Sequence, residues 1–93
     1  MSRGDAAAPP ALVHVRLFAA YRDAAGRSEL MRSIAGPDGT PVTVGDLWAA
    51  LVADHPALSK MPPAAAVNAV LARFEHVLAP GDEVAFLPPV SGG

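Results

Sequence analysis

Thr43-Val44-Gly45-Asp46-Leu47-Trp48-Ala49-Ala50-Leu51-Val52 is the stretch on which the fold turns. Val44, Leu47, Trp48, Leu51 and Val52 fall at i, i+3, i+4, i+7 and i+8, so a helix gathers them into one apolar stripe. Thr43 supplies the start: its hydroxyl can accept from the amide three residues on, where Asp46 also suits the positive end of the helix. Pro56 closes the segment. This is the clearest helix in the chain, and its stripe needs a partner surface to cover it.

The flanking residues supply that surface as strands. Upstream, Leu12-Val13-His14-Val15-Arg16-Leu17-Phe18 alternates, with Val13, Val15 and Leu17 on one parity and His14 and Arg16 on the other, the pattern of a half-buried strand. Phe18 shares the outward parity, a large apolar residue turned toward a surface for a partner. Ala19 to Ala25 reads as one or two helical turns stopped by Gly26. Ser28 to Ala35 reads as a second strand antiparallel to the first, and Gly36-Pro37-Asp38-Gly39-Thr40-Pro41 as a turn-rich connection. Downstream of Pro62-Pro63 come strands at Ala64 to Asn68, Val70 to Phe74 and Glu83 to Leu87, with a Pro80-Gly81-Asp82 turn before the last. Val84 and Phe86 share the inward parity of that last strand, and Leu87 faces outward. The order β, β, α, β, β, β predicts an α+β domain with one helix packed across a mixed sheet. There is no internal repeat and no βαβ unit with a glycine-rich phosphate turn.

Composition narrows the class further. Ninety-three residues make one domain, and twenty of the apolar ones are Ala, so the core is small and built from scattered Val, Leu and Phe. With no Cys, neither a disulfide framework nor a Cys-based zinc site is available, which fits a reducing, cytoplasmic setting. A net charge of −2 with the seven Lys and Arg widely spread argues against nucleic acid as a partner. Residues 1–11 read as a disordered leader, without the long apolar run of a signal peptide or a membrane span.

Few residues in the body of the chain suggest chemistry. His14, His55 and His76 lie on separate elements with no metal-ligand spacing, and each reads as a surface or edge residue. Asp82 and Glu83 are adjacent, so they point different ways and read as a polar turn rather than an acid/base pair. None of Ser2, Ser28, Ser33, Ser59 or Ser91 sits in a Gly-x-Ser-x-Gly elbow. The informative feature is the end, Leu87-Pro88-Pro89-Val90-Ser91-Gly92-Gly93. Two prolines stop the last strand and favour an extended course, so residues 89–93 form a flexible arm that can reach about 15 Å at roughly 3.3 to 3.6 Å per residue. Gly92 and Gly93 carry no side chains, so an enzyme's backbone can close around a terminal carboxylate from all sides. Activated as an acyl-adenylate, that carboxylate can exchange AMP for sulfur and become a thiocarboxylate.

Three blocks resemble a known family, the small sulfur-carrier subunit of molybdopterin synthase (MoaD-like). They are Val15-Arg16-Leu17-Phe18-Ala19-Ala20-Tyr21-Arg22 with Gly26; Thr43-Val44-Gly45-Asp46-Leu47; and Ala66-Val67-Asn68 through Phe74 and Leu78 to Gly81-Asp82-Glu83-Val84-Ala85-Phe86-Leu87-Pro88-Pro89-Val90-Ser91-Gly92-Gly93. The leader, the loop before Thr43 and the Pro62-Pro63 pair lie outside the pattern. The resemblance implies a ubiquitin-like β-grasp domain over residues 12–88, a mixed sheet of four to five strands on one main helix, with a flexible Gly-Gly tail. It implies a non-catalytic subunit that donates sulfur. Gly93 is adenylated by an ATP-dependent, E1-like activating enzyme and converted to a thiocarboxylate by a sulfur-transfer protein, while the carrier itself binds no cofactor or metal. The tail, recognised through Val90, Ser91 and Gly92, then enters the large subunit of molybdopterin synthase and gives its sulfur to cyclic pyranopterin monophosphate. Phe18, Arg22, Leu87 and Pro88 match the family's partner interface. Closely similar carriers serve thiazole, cysteine or thiosugar synthesis, and others act as ubiquitin-like protein modifiers; the Phe86-Leu87-Pro88-Pro89-Val90 run favours molybdopterin synthase.

Overall fold

The computed structural model describes residues 11–34, 39–60 and 62–88. Leu12–Leu17 forms β1, Ala19–Ala25 the short helix α1, Glu29–Ser33 β2 and Val44–Asp54 the main helix α2. A 3₁₀ helix over Pro56–Lys60 follows, then β3 (Ala64–Val67), β4 (Val70–Ala72) and β5 (Glu83–Leu87). The five strands make one sheet in the order β2-β1-β5-β3-β4. β1 and β5 run parallel at its centre, and every other pair is antiparallel. The expected mixed sheet under one main helix is therefore present.

Each element ends for a local reason. α2 starts in a full capping box: Asp46 N–H donates to Thr43 Oγ1 at 3.1 Å and Thr43 N–H donates to Asp46 Oδ2 at 3.0 Å. Two more of its first amides are taken by the chain ahead of β5, Val44 N–H donating to His76 O and Gly45 N–H to Phe74 O, both at 2.9 Å. α1 stops at Gly26, whose φ of 77° sets the left-handed turn that places its N–H on Arg22 O. The β3–β4 hairpin turns on Asn68 and Ala69, both at positive φ, with Val67 and Val70 paired across the two-residue loop. β4 is shorter than the expected Val70 to Phe74, because Phe74 leaves the sheet and lends its carbonyl to the start of α2.

One face of the sheet carries the core. Val13, Val15 and Leu17 from β1 and Val84 and Phe86 from β5 are fully buried against Val44, Leu47 and Leu51 of α2. Trp48 packs between Phe86, with ring centroids 4.9 Å apart, and Tyr21, edge-on at 5.9 Å. Leu58 of the 3₁₀ helix, an element the sequence pattern does not announce, is also fully buried and closes the end of the core beyond α2.

Candidate functional site

Among the described residues no helix covers the opposite face of the sheet, and its composition is set by strand parity. On the outward side, Arg16 of β1 is level with Ala85 of β5, Ala85 with Ala66 of β3, and Ala66 with Leu71 of β4. The two alanines make a low apolar floor between taller neighbours. Leu87 lies at the end of β5 opposite Ala64, and Phe18 follows Leu17, which is itself paired with Phe86, so Phe18 and Leu87 occupy the same end of the face. Phe18 is 38% exposed and Leu71 74%. The chain leaves the described residues at this same end, through the exposed Pro88.

Phe18 is held outward by backbone geometry. It is extended, at φ −123° and ψ 154°, and the next residue, Ala19, has φ 51°. That left-handed turn ends β1 abruptly and starts α1, with Tyr21 N–H donating to Phe18 O at 3.0 Å, so Tyr21 enters the core while Phe18 stays on the outer face. For a residue with a Cβ the conformation costs roughly 1–2 kcal/mol. The Arg16 guanidinium lies 5.5 Å from the Phe18 ring centroid and Nη1 is 3.5 Å from Glu83 Oε2, which orients a cation over the aromatic. His14 Nε2 is 2.8 Å from Glu29 Oε1, so the far end of the face is polar.

The face can bind; it holds no reactive constellation among the described residues. Asp82 is engaged as a turn residue, accepting from Asn68 Nδ2 at 2.9 Å and Ala79 N–H at 2.8 Å, and Asn68 Oδ1 accepts Glu83 N–H at 2.9 Å. Burial raises the Tyr21 hydroxyl above its ordinary pKa, but that group lies in the core.

Three of the four residues expected at the interface share one end of the outer face. Phe18 and Leu87 meet on the outer face, Pro88 ends it, and Arg22 is exposed one helical turn after Phe18, its Nε 3.7 Å from Asp23 Oδ1. Val90, Ser91, Gly92 and Gly93 lie outside the described residues, as do Pro89, residues 1–10, the loop residues 35–38 and Met61. Leu71, exposed on the same face, was not singled out from the sequence. Its alternation within Val70-Leu71-Ala72 is legible, but which parity faces outward depends on the hairpin register with β3.

A model of the ThiS family matches residues 15–93, from within β1 through to the terminal glycine. The chain belongs to the ThiS family. A 48-residue stretch is 50% identical to the molybdopterin synthase sulfur carrier subunit of Escherichia coli (strain K12). That stretch is 52% of this chain and 52% of the relative, so the chain spans about half the length of the curated protein it matches. Among solved structures, SAMP1 from Haloferax volcanii is 34% identical at a TM-score of 0.72, over 88% of this chain and 99% of that one. A putative molybdopterin converting factor, subunit 1, from Pyrococcus furiosus is 27% identical at a TM-score of 0.73, over 85% of this chain and 98% of that one. The ThiS-family chain and these neighbours share the ubiquitin-like β-grasp architecture, as expected from the resemblance. No helix among the described residues is long and apolar enough to cross a membrane.

Proposed function

We infer that this chain is the sulfur carrier of a molybdopterin synthase, with Gly93 as the group that carries sulfur. The observation that supports this most is the 50% identity to a molybdopterin synthase sulfur carrier subunit, in a chain whose family match runs through Gly92 and Gly93. In this reading the Gly93 carboxylate attacks the α-phosphorus of ATP on an activating enzyme and releases pyrophosphate. A sulfide-level nucleophile from a sulfur-transfer protein then displaces AMP and leaves the thiocarboxylate. ATP is used by the activating enzyme, and the carrier binds no cofactor of its own.

The fold's contribution is docking and reach. The outer face around Phe18, Ala85, Leu87 and Leu71 seats the partner, first the activating enzyme and then the large synthase subunit. The arm beyond Pro88, about 15 Å long if extended, threads Val90, Ser91 and the two glycines into the partner's active site. There the sulfur passes to cyclic pyranopterin monophosphate, and a second loaded carrier supplies the second sulfur of the dithiolene. The body of the domain stays chemically silent, in keeping with its engaged Asp82 and the apolar character of its docking face.

The test is reconstitution. Added to an extract that has the large subunit, activating enzyme and sulfur donor but lacks its own small subunit, the full chain restores molybdopterin formation, and the chain without Gly93 does not. One observation favours a second reading, a protein modifier that forms isopeptide bonds: the likeness to SAMP1, a small archaeal modifier protein, over nearly the whole of that chain. Failure to restore molybdopterin, together with Gly93-dependent covalent adducts on lysines of other proteins, would establish that alternative.

A further inference from the structure

The backbone sets where Phe18 leaves β1, at φ −123° and ψ 154°, but not where its ring lies. The side chain can still turn about χ1, and at 38% exposure it has water to turn into. Immobilising such a side chain at an interface costs affinity unless it is already held in the free protein. Arg16 supplies that restraint. It stands two residues earlier on the same parity of β1, with its guanidinium carbon 5.5 Å from the Phe18 ring centroid. A cation at that distance is drawn to the face of the ring.

Arg16 is itself tied. Its Nη1 is 3.5 Å from Glu83 Oε2, and Glu83 is the carboxylate that pairs with it among the described residues. Glu29, its register partner on β2, places Oε1 on His14 Nε2 at 2.8 Å instead. Glu83 is anchored in turn: its N–H donates to Asn68 Oδ1 at 2.9 Å and its carbonyl accepts from Asn68 N–H at 2.7 Å, so both main-chain groups are fixed to the β3–β4 hairpin. His14 Nδ1 lies 3.6 Å from the same Glu83 oxygen. The order Asn68, Glu83, Arg16, Phe18 therefore leads from a tight turn to the aromatic at the tail end of the face.

We propose that Arg16 is a positioning residue for docking. Fixed by Glu83, it holds the Phe18 ring in the orientation the partner meets, so the partner collects the ring's contact without first having to immobilise it. This deepens the docking reading of the outer face and rests on it. The guanidinium is committed on two sides, to a carboxylate and to a ring, so Arg16 acts through Phe18 and not through a contact of its own. An exposed cation–ring contact of this kind corresponds to about two- to fivefold in affinity.

The experiment is a double-mutant cycle read by isothermal titration against the large subunit of molybdopterin synthase. It uses the unaltered chain, Arg16→Gln, Phe18→Leu and the two combined, with Arg16→Lys as the conservative control. Arg16→Gln should weaken binding about two- to fivefold, Arg16→Lys should recover most of that loss, and in the Phe18→Leu background Arg16→Gln should change nothing. Glu83→Gln should reproduce part of the loss. In the free ¹⁵N,¹³C-labelled chain, three-bond couplings to Phe18 Cγ should report one dominant χ1 rotamer, which gives way to averaging in Arg16→Gln but not in Arg16→Lys. Equal losses in both backgrounds would overturn the proposal by making Arg16 a direct partner contact. Tighter binding of Arg16→Gln would overturn it by making the cation an obstacle on the ring, and couplings that stay unchanged in Arg16→Gln would overturn it as well. If the unaltered chain does not bind the large subunit, the docking reading fails, and the couplings in the free chain decide by themselves whether Arg16 positions Phe18.

Discussion

Leu71→Asp separates docking from folding more cleanly than any other substitution on the outer face. With 74% of its surface already in water, Leu71 contributes little to the core, and a surface change of this kind costs about 0.5 kcal/mol or less, with up to about 1 kcal/mol more from the poor strand propensity of Asp. Complete burial of a leucine side chain yields about 1.5–3 kcal/mol. About three-quarters of that remains for a partner to collect, roughly 1.1–2.2 kcal/mol. Placing a carboxylate there instead adds about 1 kcal/mol of unmet desolvation. The sum is about 2–3 kcal/mol, a loss of roughly 30- to 150-fold in affinity at 1.4 kcal/mol per decade. Isothermal titration against the large subunit of molybdopterin synthase measures it, with thermal unfolding of the free variant as the check that the domain is intact. An affinity within threefold of the unaltered chain, with the fold preserved, would refute the assignment of the outer face as the docking surface.

Three further outcomes follow from the fold. Thr43→Ala removes the hydroxyl arm of the capping box while leaving the backbone N–H that donates to Asp46, and should cost about 1 kcal/mol, which lowers the melting temperature by roughly 4–8 °C in a domain of this size, readable by circular dichroism. Ala69→Gly relieves a residue held at φ 71° in a tight hairpin and should raise stability by up to about 1 kcal/mol; an unchanged or lower melting temperature would mean the turn is not strained. The raised Tyr21 pKa makes a signed prediction for alkaline solution. The unfolded chain loses the phenolic proton near its ordinary pKa while the folded chain keeps it, so this contribution to stability is complete below pH 10.0 and falls as pH rises from there toward the folded value. Tyr21→Phe should lose that part of the alkaline decline, along with the hydroxyl's weak bond to Pro62 O at 3.4 Å, and denaturant melts at successive pH values read the difference.

What the sequence disclosed and what it withheld divide along physical lines. The helix at Val44–Asp54 was legible because its stripe, its cap and its closing proline are all local, and all three appear in the structure. Val13, Val15, Leu17, Val84 and Phe86 were assigned inward by alternation alone, and each is fully buried or nearly so. The 3₁₀ helix at Pro56–Lys60 was not legible, since one short turn has no period to detect, and Leu58 stood in no pattern. The parallel pairing of β1 with β5 joins residues some seventy positions apart, and alternation says nothing about which strands are neighbours. That pairing is what sets Phe18 beside Leu87: alternation gave the outward parity of each, while their placement together on one surface came only from the family resemblance. Leu71 falls in the same class, a product of the register between neighbouring strands.

The central claim concerns Gly93, and the most direct test is the intact mass of the chain after incubation with an activating enzyme, ATP and a sulfur donor. A thiol-specific alkylation follows, because exchanging oxygen for sulfur nearly matches the mass of one oxidised methionine and the chain has three. The account predicts one alkylated sulfur on the terminal glycine of the full chain and none on the chain lacking Gly93. A full-length chain that stays unlabelled under conditions that load another carrier of the family, or equal labelling of both chains, would contradict it.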